Sequence, residues 1–137
     1  MAVLMGGGDR SAVERFYAEQ VHALDRGDFD AYGDTFAADA EFVIDGLRTL
    51  RGRARIVEHS RVLRDARSAR GAVQRHFMSN CAITPTGDGL RVRGTVLTVE
   101  SVVGQGSRVS GVIEFADVLR VEGNAGHRVV SRTAKPN

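Results

Sequence analysis

The sequence has a single cysteine, Cys81, and no hydrophobic run long enough to span a membrane. One cysteine excludes an internal disulfide and fits a reducing compartment, so we expect a cytoplasmic protein. The N-terminal segment lacks a basic start and is too short for a signal peptide. The formal net charge is only +2, so the basic isoelectric point reflects abundant arginine rather than a nucleic-acid-binding surface. We therefore expect neither a membrane nor a nucleic acid as partner.

Motifs for metals, nucleotides and serine nucleophiles are also missing. His59 and His76 are not spaced as a pair on one helix, and Cys81 has no nearby Cys or His in a zinc pattern. The run Gly6–Gly8 follows no strand, so it does not predict a phosphate-binding loop. No nucleophile elbow around a serine is present. The sequence therefore predicts no metal and no cofactor.

What is present suits one globular domain: 137 residues, of which 42% are hydrophobic and 26% charged. We expect a flexible tail over residues 1–10 and a domain over residues 11–134. Ser11–Glu14 is a capping box that predicts the start of the first helix, and Gly27 predicts its end. A short second helix is predicted from Phe29 to Phe36 and a third from Gly52 to about Ala69.

The third helix has two candidate faces. Ile56, His59, Leu63 and Ala66 share one stripe, which predicts the inward face. Arginines 61, 64, 67 and 70 recur at intervals of three on the other side. They indicate a solvated face or, alternatively, a phosphate-binding surface.

The second half of the chain predicts a sheet. After a turn at residues 37–39, a short strand is predicted at Ala40–Asp45. Alternating apolar residues between turn segments then predict four long strands. These are Ala72–Thr84, Leu90–Val103, Arg108–Glu122 and His127–Thr133, the last two joined by a turn at residues 123–126. Helices followed by an antiparallel meander predict an α+β fold, with the helices on one face of a curved sheet.

Asp117 breaks the pattern of the third long strand. It falls on the apolar side, between Phe115 and Leu119. A carboxylate in apolar surroundings is costly unless it is paired, protonated or solvated in a cavity. Inward polar residues often mark functional sites. The alternatives are a shifted register or an Asp paired with a nearby arginine.

Several segments together resemble the nuclear transport factor two-like superfamily, in particular the SnoaL-like polyketide cyclases. The resemblance implies a cone-shaped, cystatin-like fold with a deep, mostly apolar pocket between helices and sheet. It also implies a homodimer, because the outer sheet face of such proteins commonly covers a second copy. The segments that carry it are Leu24–Asp30, Phe36–Ala40, Arg75–Asn80, Phe115–Arg120 and Arg128–Arg132.

The resemblance also implies candidate catalytic residues. His76 matches a histidine used for acid/base work in scytalone dehydratase, and Asp25 matches a carboxylate that matters there. Asp117 matches the oxyanion-hole acid of ketosteroid isomerase, which works in its protonated form because an apolar site raises its pKa. Asp117 could instead orient His76. Asp45 lies near the general base of that isomerase, although a slip of one residue would put Ile44 there. Asp45 as a plain turn residue is the alternative.

Other residues are candidates for substrate binding. Asn80 lies on the same side of its strand as His76, and by the resemblance that side faces the cavity. Tyr17 and Gln20 project from the inward face of the first helix, where the tyrosine hydroxyl could grip a substrate oxygen. His59 is a further candidate. Tyr17 and His59 could equally be core residues, and Asp25 could be an ordinary helix-end residue.

The function implied is a cofactor-independent cyclase, isomerase or dehydratase of secondary metabolism. It would act by general acid/base catalysis on a hydrophobic, polyketide-like carbonyl compound, with His76 and either Asp45 or Asp117 as the pair. The alternatives are a non-catalytic small-molecule-binding or accessory subunit of the same fold, and an epoxide hydrolase. The last would need an inward arginine between two acids, which the sequence does not indicate.

Overall fold

A computed structural model of the chain describes residues 7–122 and 126–136. It contains three helices and one six-stranded sheet, so the predicted α+β class is confirmed. The helices are α1 (Gly7–Arg26), α2 (Phe29–Asp34) and α3 (Arg53–Ala69). The strands are β1 (Phe36–Ile44), β2 (Arg48–Arg51), β3 (Ala72–Pro85), β4 (Gly89–Val102), β5 (Gly106–Val121) and β6 (His127–Pro136).

The sheet has the order β2-β1-β6-β5-β4-β3. Strands β3 to β6 form the predicted antiparallel meander, and β1 then pairs in parallel with β6. The helices cover one face, and the buried core lies between them and the sheet. Phe36, Ile56, Leu119 and Val13 belong to this core, and each is at most 1% exposed. Apolar residues from both layers therefore hold the cone together.

The start of the chain differs from the prediction. Helix α1 begins at Gly7, so the capping box at Ser11 lies inside the helix, and residues 7–10 are not a tail. The predicted tail over residues 1–6 lies outside the described residues. The helix ends as predicted, with Gly27 at φ 76°. A side chain at Gly27 would also meet the Arg64 guanidinium, whose carbon would lie 2.7 Å from an added Cβ.

The short elements after α1 also differ. Phe36 begins a strand and does not end the second helix, and residues 37–39 belong to β1 rather than to a turn. Ala37 and Ala40 are buried, at 2% and 0% exposure, because this part of β1 lies against the helices. Strand β2 was not predicted, and it closes a short hairpin with β1. The predicted turn at residues 123–125 lies outside the described residues.

Helix α3 has the predicted bounds, but its C-terminal half is turned the other way. Ile56 is buried, whereas Leu63 is 44% exposed and the neighbouring Val62 is 55% exposed. Arg64 and Arg67 are both half-buried. The inward stripe therefore continues from Ile56 to two arginines, and the prediction of a wholly outward arginine face is wrong.

Three register shifts alter the alternation of the long strands, and two of them lie in β3 and β5. In β3 the register changes between Ser79 and Ala82, where Asn80 adopts φ 57°. The extra residue moves the following side chains to the opposite face. In β5 the pairing with β4 shifts next to Val109, which is 57% exposed instead of lying on the inner face with Phe115.

Candidate active site

The last turn of α1 and the middle of β3 bring an aspartate and a histidine together. The Nδ1 atom of His76 lies 2.6 Å from Oδ1 of Asp25, and the backbone N–H of His76 donates to the other carboxylate oxygen at 3.0 Å. The two side chains are 18% and 16% exposed. A carboxylate in the last turn of a helix opposes the helix dipole. Its two bonds to His76 fix the ring on the edge strand of the sheet, so Asp25 orients His76.

A side chain of α3 binds the C-terminal end of α1, which carries the Asp25 carboxylate. Arg64 donates from Nη1 to the backbone carbonyl of Asp25 at 2.8 Å. That carbonyl lies at the helix end, where no N–H of a further turn is available. The position of Asp25 is thus set by α1, α3 and β3 together.

His76 lies between two adjoining hollows along α1 and β3. One is a cleft of about 300 Å³ whose wall is mainly apolar, and Val13, Val21, Met78, Ile83 and the ring of Tyr17 line it. The other, of about 460 Å³, lies beneath the C-terminal turn of α1 and includes Asp25. His22 and Phe77 also line both hollows. Both hollows open to solvent, so the expected deep pocket is a more open cleft with a histidine at its centre.

A second polar group lies inside the cone, on the far side of Tyr17. Arg132 donates from Nε and Nη2 to the two carboxylate oxygens of Asp117, each at 2.8 Å. The hydroxyl of Tyr17 donates to Asp117 at 2.7 Å, and Gln20 accepts from Arg132 at 2.7 Å. Gln20 in turn donates to Thr35 at 2.7 Å. Asp117 is only 1% exposed, so every charge and dipole here is satisfied inside the protein.

The surroundings of this network set its protonation. Burial, followed by the negative charge of Asp117, raises the pKa of Tyr17, so its hydroxyl remains a donor. Burial alone would lower the pKa of Arg132, but the charge and hydrogen bonds of Asp117 outweigh it and the pKa is raised. Asp117 is therefore paired with an arginine, which is one of the alternatives that its sequence position left open, and it does not orient His76.

Three of the predicted site residues lie away from His76. Asp45 is exposed in the β1–β2 turn, at the edge of the sheet opposite β3. Asn80 points away from His76 because of the bulge in β3, and it lines a hollow on the outer sheet face with Ala82. His59 is half-buried on α3, where burial and then the charge of Arg48 lower its pKa. None of the three lines the cleft, so none of them, Asp45 included, lies beside His76 in this arrangement.

Tyr17 and Gln20 do face inward, but their polar atoms are engaged. Tyr17 contributes its ring to the cleft and its hydroxyl to Asp117. Gln20 is 2% exposed and bonds to Arg132 and Thr35. Neither is positioned to bind a substrate oxygen without breaking the buried network.

Sequence reasoning missed Arg132 and His22. Regular alternation in β6 places Arg132 on the side opposite Val129, whereas the register shift next to Leu119 puts both on the buried face. The one available signal was the inward Asp117, since a buried carboxylate requires a cation nearby. His22 lies one helical turn before Asp25, and that spacing alone places both on one side of α1.

Within residues 7–122 and 126–136, no three His, Cys, Asp or Glu side chains are grouped to hold a metal ion. None of the helices described is long and apolar enough to cross a membrane.

The cone of helices on a curved sheet, with a side-opening cleft, defines the class of small α+β proteins with a cystatin-like fold. Residues 8–133 match the model of the SnoaL-like domain. The chain belongs to this family, and the resemblance noted in the sequence is confirmed. None of the curated protein sequences matches the chain significantly.

Solved structures of similar shape agree with this assignment. A protein from Catenulispora acidiphila in complex with S-DNPA is 26% identical with a TM-score of 0.82, covering 96% of this chain and 95% of that chain. ActVI-ORFA from Streptomyces coelicolor is 23% identical with a TM-score of 0.86, covering 95% and 98%. An ntf2-like protein with a cystatin-like fold from Novosphingobium aromaticivorans is 25% identical with a TM-score of 0.81, covering 94% and 82%.

Proposed function

We propose that this protein is a cofactor-independent enzyme of the cyclase, isomerase or dehydratase type, in which His76 transfers a proton and Asp25 orients it. The observation that carries the proposal is the 2.6 Å contact between Nδ1 of His76 and Asp25 at the edge of an apolar cleft. A carboxylate that holds the second nitrogen of a histidine fixes its tautomer and stabilises the imidazolium, which suits general acid/base catalysis.

The hydrogen bond determines which nitrogen acts. An ionised carboxylate can only accept, so neutral His76 carries its proton on Nδ1 and has a lone pair on Nε2. Nε2 of His76 has no hydrogen-bond partner within the described residues, and this atom is not fully buried. Nε2 is therefore the atom that a ligand in the cleft can reach.

The proposed step is removal of a proton from the carbon next to a substrate carbonyl. The C–H bond breaks, its electron pair forms the enolate, and the proton moves to Nε2. Asp25 stabilises the imidazolium that results. His76 then returns the proton to a leaving hydroxyl in dehydration, to another carbon in isomerisation, or to the oxygen of the carbonyl that the enolate attacks in cyclisation.

A hydrophobic, polyketide-like substrate is supported by the cleft and by the relatives. The wall of the cleft is mainly apolar, which suits flat carbon skeletons. The structure of the Catenulispora acidiphila relative contains S-DNPA. From the apolar wall of the cleft we infer small aromatic or polycyclic ketones as the substrate class of the present protein.

Exchange of the α-protons of 2-tetralone in D₂O, followed by proton NMR, tests the proposal. Replacing His76 by Gln should lower the protein-catalysed rate by roughly 10²–10⁴-fold, the loss typical of removing a general base. Asp25→Asn should also lower it, because the amide no longer fixes the required tautomer. His59→Gln, a histidine outside the cleft, is the matched control and should retain the rate. Equal rates in the parent protein and a folded His76→Gln variant would contradict the proposal.

The second candidate function is a non-catalytic binding protein that uses the same cleft. It is favoured by the openness of both hollows to solvent, because catalytic sites commonly exclude water. This candidate predicts that 2-tetralone binds but exchanges no faster than in buffer. The epoxide-hydrolase alternative lacks support, because Arg132 bonds to one acid and one amide, Asp117 and Gln20, instead of two acids.

We also propose that a second copy of the chain covers the outer face of the sheet. Val73, Phe77, Val109 and Val112 are 51%, 53%, 57% and 37% exposed there. Phe77 pairs with Leu97 and Leu97 with Val112, so part of this apolar surface is continuous across three strands. Light scattering at micromolar concentration should give twice the chain mass, and Val112→Glu should give the monomer mass. A monomer mass for the parent protein would contradict the proposal.

A further inference from the structure

The proposed reaction creates a charge that the residues described so far do not stabilise. When His76 removes a proton from the carbon next to a carbonyl, negative charge develops on the carbonyl oxygen, and a hydrogen-bond donor at that oxygen lowers the barrier. The residues that the sequence suggested for this role do not supply one. The hydroxyl of Tyr17 donates to Asp117, and Asn80 lines a hollow on the outer face of the sheet. The donor must therefore come from another residue of the two hollows beside His76.

Most polar side chains in these hollows are engaged or lie at one end. Arg10 forms an ion pair with Glu14 and donates to the carbonyl of Cys81. The Cys81 thiol is itself a weak donor. Arg26 and Arg75 line only the second hollow, and Arg26 is paired with an aspartate. Arg75 directly precedes His76 on β3, so its side chain leaves the strand on the opposite face.

His22 differs from all of these residues. It lines both hollows, as His76 does, and it has no hydrogen bond or ion pair to the part of the chain that the structure describes. Its imidazole carries at least one N–H in either protonation state. His22 is also exposed to solvent, so a ligand in the cleft can bind this N–H without displacing another side chain.

The geometry of α1 places His22 beside His76. Residues three apart on a helix lie on one side of it, with Cβ atoms about 5–6 Å apart. Asp25 follows His22 by three residues, and its carboxylate lies 2.6 Å from Nδ1 of His76. The two histidines therefore border the same space from two walls, His22 from α1 and His76 from β3. One ketone molecule in this space can present its carbonyl oxygen to His22 and the adjacent carbon to His76.

We infer that His22 is a second catalytic residue, which donates a hydrogen bond to the carbonyl oxygen of the substrate while His76 removes the proton. The inference rests on the proposed function and adds to it the group that stabilises the enolate. The C–H electron pair forms the carbon–carbon double bond, the π pair of the carbonyl moves to oxygen, and the N–H of His22 binds that oxygen. The proton of His22 stays on its nitrogen, and His76 returns the abstracted proton.

Exchange of the α-protons of 2-tetralone in D₂O, measured at several ketone concentrations, tests the inference. Removing an oxyanion donor costs about 10²–10³-fold in enclosed sites, and water replaces part of it in an open cleft, so His22→Leu should lower kcat about 10–100-fold. KM should change by less than about threefold, because the bond strengthens mainly in the transition state. His22→Gln keeps an amide N–H and should recover part of the rate.

Two variants serve as controls for this measurement. Glu19→Leu changes an exposed residue of α1 that lines neither hollow, and it should retain the full rate. Arg75→Leu removes the other donor near His76 and should also retain it. A full rate in His22→Leu would overturn the inference, and so would a loss in Arg75→Leu as large as the loss in His22→Leu.

A second readout does not depend on the reaction. Bound 2-tetralone with carbon-13 at its carbonyl should give a resonance at lower field in the parent protein than in His22→Leu, because a hydrogen bond polarises the C=O bond. His76→Gln removes the base but not the donor, so it should keep the lower-field resonance. Equal carbonyl resonances in the parent protein and in His22→Leu would overturn the inference. So would no binding of 2-tetralone up to millimolar concentration.

The two readouts together separate this inference from the proposed function. If exchange depends on His76 but His22→Leu changes neither the rate nor the carbonyl resonance, the reaction stands and the role of His22 fails. If the carbonyl resonance depends on His22 but the parent protein exchanges no faster than His76→Gln, the contact of His22 with the carbonyl stands and the proposed reaction fails.

Discussion

Removing Arg132 should destabilise the protein far more than an average substitution. In Arg132→Met the Asp117 carboxylate, 1% exposed, loses both of its bonds to the guanidinium and keeps only the hydroxyl of Tyr17. Breaking a buried ion pair from one side costs about 3–5 kcal/mol. At about 3–5 °C per kcal/mol for a chain of this size, the melting temperature should fall by roughly 9–25 °C.

A double variant shows whether the loss comes from the stranded charge. The guanidinium lies 5.3–6.0 Å from the ring centres of Phe36, Phe42 and Phe115, so an apolar side chain has partners there. Arg132→Met combined with Asp117→Leu should therefore be more stable than Arg132→Met alone. The remaining loss, about 1–3 kcal/mol, reflects the Tyr17 hydroxyl without its acceptor. Urea unfolding followed by circular dichroism measures the parent protein, Arg132→Met, Asp117→Leu and the double variant.

Additive losses of stability in the two single variants would contradict a mutual stabilisation of Arg132 and Asp117. If the double variant loses as much as the two single variants together, the two groups do not stabilise each other. A loss below about 1 kcal/mol for Arg132→Met would also refute it, since the carboxylate would then have found water or another donor.

Two further predictions follow from shifted pKa values. The hydrogen bonds of Arg70 lower the pKa of Glu100, so its stabilising effect is present above the ordinary glutamate pKa of about 4.3 and is lost as the pH falls through the lower folded value. Thermal melts from pH 6 to pH 3 should show a smaller loss in Glu100→Gln than in the parent protein, and identical losses would contradict this. Burial raises the pKa of the Cys81 thiol, so alkylation by iodoacetamide at pH 7.5 should be slower than for a cysteine peptide. Because Cys81 lines the cleft, 2-tetralone should slow it further, whereas a rate equal to that of the peptide would contradict the burial.

Local patterns in the sequence predicted most of the fold. The alternation of β4 and the glycines at the turns indicated the meander, and Gly27 indicated the end of α1. Contacts between distant segments were not predictable in this way. The buried half of β1, around Ala37, pairs with β6 near the other end of the chain. Ala37 and Ala40 have low strand propensity, so the local sequence does not predict a strand there.

The candidate site shows the same division. His76 was identified from its segment, but its partner Asp25 is 51 residues away and only the packing of α1 on β3 decides that Asp25 rather than Asp117 orients it. Asn80 was misplaced because one extra residue in β3 reverses the side of every residue after it. Leu63 was predicted to face inward and is exposed, whereas Arg67 was predicted to face outward and is half-buried. Which side of α3 faces the sheet at each turn depends on contacts between the two, and helical periodicity does not show these contacts.

The most direct measurement of the central claim is the nitrogen-15 NMR spectrum of the His76 imidazole in the parent protein and in Asp25→Asn. We expect neutral His76 to carry its proton on Nδ1, with Nε2 unprotonated, and 2-tetralone to perturb the Nε2 resonance more than the Nδ1 resonance. In Asp25→Asn the fixed preference for Nδ1–H should be lost. A neutral His76 protonated on Nε2 in the parent protein, or a tautomer that Asp25→Asn leaves unchanged, would contradict the claim that Asp25 prepares Nε2 to accept a substrate proton.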